Sequence, residues 1–126
     1  MCVRVLVADD ADIIRRGIKQ LLRDRDDIAV IGEASNLPET VQKTAELLPD
    51  VVIMDLRMAA RANGDIHPQT IGRPMVAISF AIDEIAREQA ERLGAVKFID
   101  KVELAKELAP ISCNSRAVAQ YDGSKR

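Results

Sequence analysis

VLVADDADII, residues 5–14, runs from a block of apolar, partly β-branched side chains into two adjacent carboxylates and back to apolar residues. The block Val3–Ala8 has the length and composition of a strand buried on both faces. Asp9 and Asp10 then stand at the exit of that strand, where like charges repel and hydration is partly lost. Two carboxylates at the edge of a core need a counter-charge, and the rest of the chain offers candidates.

Four more short apolar runs follow, at Ala29–Ala34, Val51–Met54, Met75–Ser79 and Val96–Ile99. Each suits a strand covered on both faces. Helical spacing lies between them. Ile14, Ile18, Leu21 and Leu22 share one face, with Arg15, Arg16, Lys19 and Arg23 on the other. Leu37, Val41, Thr44, Ala45 and Leu48 repeat the pattern, with Pro38 tolerable in a first turn. Ile82, Ile85, Ala86, Ala90 and Leu93 form a third stripe, ended by Gly94, and a fourth helix begins at Val102 with Asp100 and Glu103 at capping-box spacing. Strand–helix alternation of this kind predicts an open α/β sheet with right-handed crossovers. The interval Ala60–Pro74 breaks the rhythm: Gly64, Pro68, Gly72 and Pro74 predict a short or distorted helix there.

The chain of 126 residues fits one domain. Its net charge of −2 and its 2% aromatic content argue against nucleic-acid binding by a basic surface or by base stacking. Cys2 and Cys113 have neither metal-site nor CxxC spacing and read as free thiols. No signal peptide or membrane-spanning run is visible, so a cytoplasmic location is expected. The stretch 113–126 is small and polar and reads as a tail after a domain of residues 1–112, without an output domain.

In open α/β sheets ligands bind beyond the carboxyl ends of the strands. Asp9 and Asp10 end the first strand and Asp55 follows the third. If those strands are neighbours, their tips lie about 4.8 Å apart. Three carboxylates would then converge on a space little larger than one ion, and a hard divalent cation such as Mg²⁺ resolves their repulsion. Ser79 ends the fourth strand and Lys101 follows the fifth. Acids, a hydroxyl and an ammonium around Mg²⁺ suit a phosphoryl group, with a carboxylate as nucleophile. No Walker-type loop is present to hold a nucleotide, so the donor comes from elsewhere.

VLVADD, VVIMDLRM, AIS and FIDK, in this order, resemble the receiver domain of two-component response regulators. DDADIIRRGIKQLL, with Arg15 and Gly17, is most similar to the branch that usually carries a helix-turn-helix output domain. The resemblance covers residues 3 to about 111 and implies a flavodoxin-like, doubly wound five-stranded parallel sheet of order 2-1-3-4-5. It also implies that Asp55 takes a phosphoryl group from the phosphohistidine of a sensor histidine kinase or phosphotransfer protein. Asp10, Asp55 and the main-chain carbonyl of Arg57 would bind Mg²⁺ directly, with Asp9 acting through water. Lys101 would pair with the phosphoryl group. Ser79 would move inward and Phe98 would repack, remodelling the face of the fourth helix, fifth strand and fifth helix where a downstream target or a second copy docks. On this reading the domain is not an enzyme beyond self-directed phosphoryl transfer and autodephosphorylation.

Several positions depart from the family pattern. Ala59 replaces a proline in the loop after Asp55, Val102 replaces the proline after Lys101, and Phe80 stands where a small residue is usual. A non-proline cis bond costs about 2.5–4 kcal/mol, so the Lys101–Val102 bond is expected to be trans. Phe80 is expected to crowd Asp55 and slow phosphorylation. Only 24 positions separate Asp55 and Ser79, several fewer than the family norm. Asp12 reads as a first-turn residue favoured by the helix dipole, Asp100 as an N-cap and His67 as a solvated loop residue.

Two other functions compete. A phosphatase of the haloacid dehalogenase type would need its nucleophile in a DxD pair on the first strand, which Asp10 and Asp12 supply only loosely. A receiver-fold interaction module no longer controlled by phosphorylation is kept open by Phe80, Val102 and the short third crossover.

Overall fold

The computed structural model describes residues 2–60, 68–80 and 83–104. Five parallel strands, β1 (Val3–Ala8), β2 (Ile28–Ala34), β3 (Val51–Asp55), β4 (Met75–Ser79) and β5 (Lys97–Asp100), form one sheet in the order β2-β1-β3-β4-β5. The helices are α1 (Asp12–Arg23), α2 (Leu37–Leu47), α3 (Leu56–Ala60), α4 (Pro68–Ile71) and α5 (Glu84–Arg92), followed by a 3₁₀ turn at Lys101–Glu103. This is the flavodoxin-like order that the resemblance implies. β1 lies beside β3, which is what brings Asp9 and Asp10 to Asp55.

Strand alternation sorts the core into two layers. Val3, Val5, Val7, Val51, Ile53, Val76, Ile78 and Ile99 face one side, where Ile18 and Leu22 of α1 cover them. Leu6, Ala8, Val52, Met54, Met75 and Ala77 face the other, covered by Ala86, Ala90 and Leu93 and flanked by Leu37, Val41 and Leu47 of α2. Burial on both faces explains the near-continuous apolar runs. Each fully buried Val or Ile contributes about 1.5–3 kcal/mol by leaving water.

The helix faces depart in part from their sequence spacing. In α2 the buried positions are Thr40 and Thr44, while Ala45 and Leu48 are exposed. The threonine hydroxyls donate to the carbonyls of Asn36 and Thr40, so burial leaves no polar group unsatisfied. Leu48 is exposed because it caps the helix in the left-handed region, at φ 49°. The guanidinium of Arg4 donates to the carbonyls of Leu47 and Leu48, both at 2.8 Å, and so closes the C-terminus of α2 from β1. At the other end Asn36 Oδ1 accepts from the Glu39 N–H at 2.8 Å.

In α5 the stripe Ala86, Ala90 and Leu93 is buried as expected, but Ile85 is exposed. Gly94 follows with φ 71°, the C-cap conformation that glycine adopts without penalty. Gly32 serves packing instead. β1 and β2 slip register between Val5 and Leu6, and a Cβ on Gly32 would stand 2.8 Å from Leu47 Cδ1. The glycine therefore lets α2 lie close on the edge strand.

The third crossover is short, as its composition predicts, but it begins earlier than expected. The chain turns helical at Leu56, directly after Asp55, where the sequence suggested a loop. Leu56 and Met58 are buried and draw that turn onto the second layer. α4 is a single turn of four residues. His67, Ile82, the continuation of the helix beyond Leu104, Cys113 and the tail at 113–126 lie outside the described residues. Among the described residues no helix is long and apolar enough to cross a membrane.

Candidate acidic site at the strand ends

Register places the polar residues at one end of the sheet. Ala8 pairs with Met54, Asp55 with Ile78 and Ser79 with Asp100, so the chain leaves β1, β3, β4 and β5 on the same edge. Asp9, Asp10 and Asp55 there bring carboxylate oxygens within 4.8 Å of one another. Asp9 and Asp55 are fully buried. Lys101 Nζ, itself buried, lies 2.7 Å from Asp9 Oδ2 and 3.4 Å from Asp55 Oδ2. Neither contact has hydrogen-bond alignment, and Asp9 Oδ2 and Asp55 Oδ2 accept no hydrogen bond among the described residues.

Local structure holds the two buried carboxylates in place. Asp9 Oδ1 accepts from the Ala11 N–H at 2.8 Å, and Asp55 Oδ1 from the Arg57 N–H at 3.1 Å. The Asp9 N–H donates to the Ala34 carbonyl, and its own carbonyl accepts from Arg15 Nη1. Burial pushes the Asp9 carboxyl above the ordinary carboxylate range. The charge on Asp55 adds to that, while Lys101 and the Ala11 N–H pull the other way. A site that disfavours the charge of its own carboxylate, and leaves aspartate oxygens without hydrogen bonds, has a donor set suited to a hard divalent cation.

Two arginines belong to this site in ways the sequence did not show. Arg15, expected on the solvent face of α1, is only 14% exposed. It joins the Asp9 carbonyl, Asp12 at 3.1 Å and Glu33 at 3.0 Å, tying the acidic loop to β2. Its signal was the acidic Glu33 in an otherwise apolar strand. Lys19 reaches the same carboxylate at 2.6 Å and, with Arg15, holds Glu33 below the ordinary range. Arg57, singled out only for its carbonyl, sends its side chain back over the acids. Nη2 is 3.7 Å from Asp10 Oδ1 and Nε is 3.7 Å from Asp55 Oδ2.

Ser79 is buried at the end of β4, and Phe98 is half-buried in β5 against the second core layer. Asp12 begins α1 and pairs with Arg15 and Arg16, away from the three acids. Asp100 caps the 3₁₀ turn, accepting from the Val102 N–H at 3.0 Å. The Lys101–Val102 peptide is trans, and the lysine still reaches both buried carboxylates. Phe80 is 59% exposed, and its ring centroid lies 5.0 Å from Lys101 Nζ. Its face therefore covers the lysine in a cation–π contact.

A parallel sheet of this order, with acids and a buried lysine at its carboxyl edge, is a doubly wound α/β domain of the flavodoxin-like kind. The family model described as the response regulator receiver domain matches residues 5–111, and the chain belongs to that family. A protein-glutamate methylesterase/protein-glutamine glutaminase of Methanococcoides burtonii is 35% identical over 114 residues, covering 86% of this chain and 32% of that protein. The transcriptional regulatory protein LiaR of Bacillus subtilis is 33% identical over 111 residues, covering 85% of this chain and 53% of LiaR. The chain thus spans a third to a half of the length of these relatives. Among solved structures, the response regulator domain of Thermotoga maritima CheB has TM-score 0.74 and 26% identity, over 96% of both chains. The receiver domain of Mycobacterium tuberculosis NarL has TM-score 0.69 and 25% identity, over 85% of this chain and 93% of that one.

Proposed function

We propose that this receiver domain accepts a phosphoryl group on Asp55 from a histidine kinase or phosphotransfer protein, in an Mg²⁺-dependent reaction that switches a protein-binding face. The observation that carries the reading is the convergence of Asp9, Asp10 and Asp55 with the Lys101 ammonium at the carboxyl ends of the strands. Asp10, Asp55 and the Arg57 carbonyl, with Asp9 through water, would hold Mg²⁺, which supplies positive charge to phosphoryl oxygens.

The chain's own residues do the rest. The Arg57 N–H fixes one oxygen of Asp55, which orients the carboxylate. An Asp55 oxygen attacks phosphorus, the phosphorus–nitrogen bond of the donor phosphohistidine breaks, and the imidazole keeps that electron pair. Lys101 neutralises the incoming phosphoryl oxygens, and the Ser79 hydroxyl donates to them. Movement of Ser79 lets Phe98 repack, which shifts the population between two arrangements of α5, β5 and the segment after it. Ile85 and Val102, both exposed apolar side chains on these elements, suit the docking of a protein target or a second copy.

A module that has ceased to respond to phosphate is the second reading, favoured by the two cations already placed on the acids and by the phenyl ring over Lys101. Titration with beryllofluoride and Mg²⁺, followed by amide NMR on wild type and Asp55→Asn, separates the two. Shifts at Asp10, Asp55, Ser79 and Lys101 that spread to Phe98 and vanish in the variant support the phosphoacceptor. Mg²⁺ binding without a beryllofluoride response supports the module.

A further inference from the structure

The Arg57 side chain lies over oxygens that a metal would need. Its guanidinium reaches Asp10 Oδ1 and Asp55 Oδ2, both at 3.7 Å, so one planar cation spans two of the three acids. These distances are ion pairs, longer than hydrogen bonds. We propose that Arg57 is a built-in counter-cation that leaves the acidic pocket when Mg²⁺ binds, so that metal binding is an exchange of one cation for another. The proposal rests on the Mg²⁺ site of the preceding reading.

Charge supports the exchange. Asp9, Asp10 and Asp55 with Lys101 and Arg57 sum to −1 in the ionised state. Mg²⁺ added with both cations in place would leave +1 in a largely buried cluster, whereas Mg²⁺ in exchange for Arg57 leaves zero. Mobility decides which cation goes. Lys101 is 1% exposed, held at 2.7 Å by Asp9 and covered by Phe80. Arg57 is 58% exposed and among the described residues its side chain makes only the longer contacts, so it can swing into water at little cost while its main-chain atoms stay in place.

The test is calorimetric titration of Mg²⁺ without any phosphoryl donor, on wild type, Arg57→Ala, Arg57→Lys and Arg16→Ala. Arg16 pairs with Asp12 and not with the three acids, so its removal reports the through-space effect of one lost charge. Arg57→Ala is expected to bind Mg²⁺ about three- to tenfold tighter, the range set by losing a half-exposed ion pair made twice. Arg57→Lys should fall between that variant and wild type, and Arg16→Ala should stay within about twofold of wild type. In labelled wild type the Arg57 Nε–H resonance should move toward the position of a solvated guanidinium as Mg²⁺ is added. Equal or weaker binding by Arg57→Ala, equal tightening by Arg16→Ala, or an Arg57 resonance unmoved at saturation would each overturn the exchange. Mg²⁺ binding that is alike in all four proteins removes the exchange and leaves the phosphoacceptor reading standing, whereas no binding in any removes both.

Discussion

Replacing Lys101 with methionine keeps most of the side-chain volume and deletes the charge that faces Asp9 at 2.7 Å and Asp55 at 3.4 Å. All three side chains are 0–1% exposed, so water cannot take over from the ammonium. Breaking a buried pair in this way costs about 3–5 kcal/mol. That is a large part of the roughly 5–15 kcal/mol by which a domain is stable. With a urea dependence of about 2 kcal/mol per molar, the midpoint of unfolding should fall by about 2 M. The chain has no tryptophan, so far-ultraviolet circular dichroism is the suitable probe.

Two conditions should return the lost stability. Mg²⁺ at a hundredfold its dissociation constant adds about 2.7 kcal/mol to the folded state. Acid should act too, with the sign opposite to that of most carboxylates. Asp9 is pushed above its ordinary value of 3.8 by burial, and removing Lys101 deletes one of the influences that hold it down. In the window between that ordinary value and the raised one, the folded state binds more protons than the unfolded state. Stability of the variant therefore rises as pH falls through the raised value, and the gap to wild type narrows. A variant within about 1 kcal/mol of wild type at neutral pH, and insensitive to Mg²⁺, would refute the claim that Lys101 balances the acids.

Phe80→Ala should raise the rate of phosphorylation by a small phosphodonor several-fold, read by mass spectrometry of the intact protein. Its stability should change by no more than about 1 kcal/mol, because the ring is 59% exposed and its cation–π contact is modest. An unchanged rate would mean the ring does not restrict access. Glu33 is held below its ordinary value of 4.5 first by Lys19 and then by Arg15, so its contribution is present above that value and is lost as pH falls through the lowered one. Glu33→Gln should flatten that acid limb and cost under about 1 kcal/mol at pH 7, since the carboxylate is a third exposed. Arg4→Ala should lower stability by about 1–2 kcal/mol through the uncapped carbonyls of Leu47 and Leu48, with the protection of α2 amides from hydrogen exchange reduced first.

What the sequence revealed, and what it hid, follows from the range of the forces involved. The inner strands were the most legible because burial on both faces demands apolar side chains, and Val51–Asp55 or Met75–Ser79 can satisfy no other environment as well. The acids were legible because a carboxylate directly after such a run has no apolar explanation. The helices were less legible. Thr40 and Thr44 are inside and Leu48 outside, because a hydroxyl that bonds its own helix is as burial-tolerant as a small apolar group, and a C-cap turns its residue out of the periodic stripe. Arg15 and Arg57 were hardest of all, since a long cationic side chain has no face of its own. Whether it meets solvent or folds back, Arg15 onto Glu33 and Arg57 onto Asp10 and Asp55, depends on charges gathered from separate strands, and only the assembled sheet brings those together. The residues that supply the site's negative charge were therefore readable one strand at a time. The side chain of Arg57, which answers that charge, finds its place only once β1 lies beside β3, whereas Arg15 needs β2 beside β1 to reach Glu33.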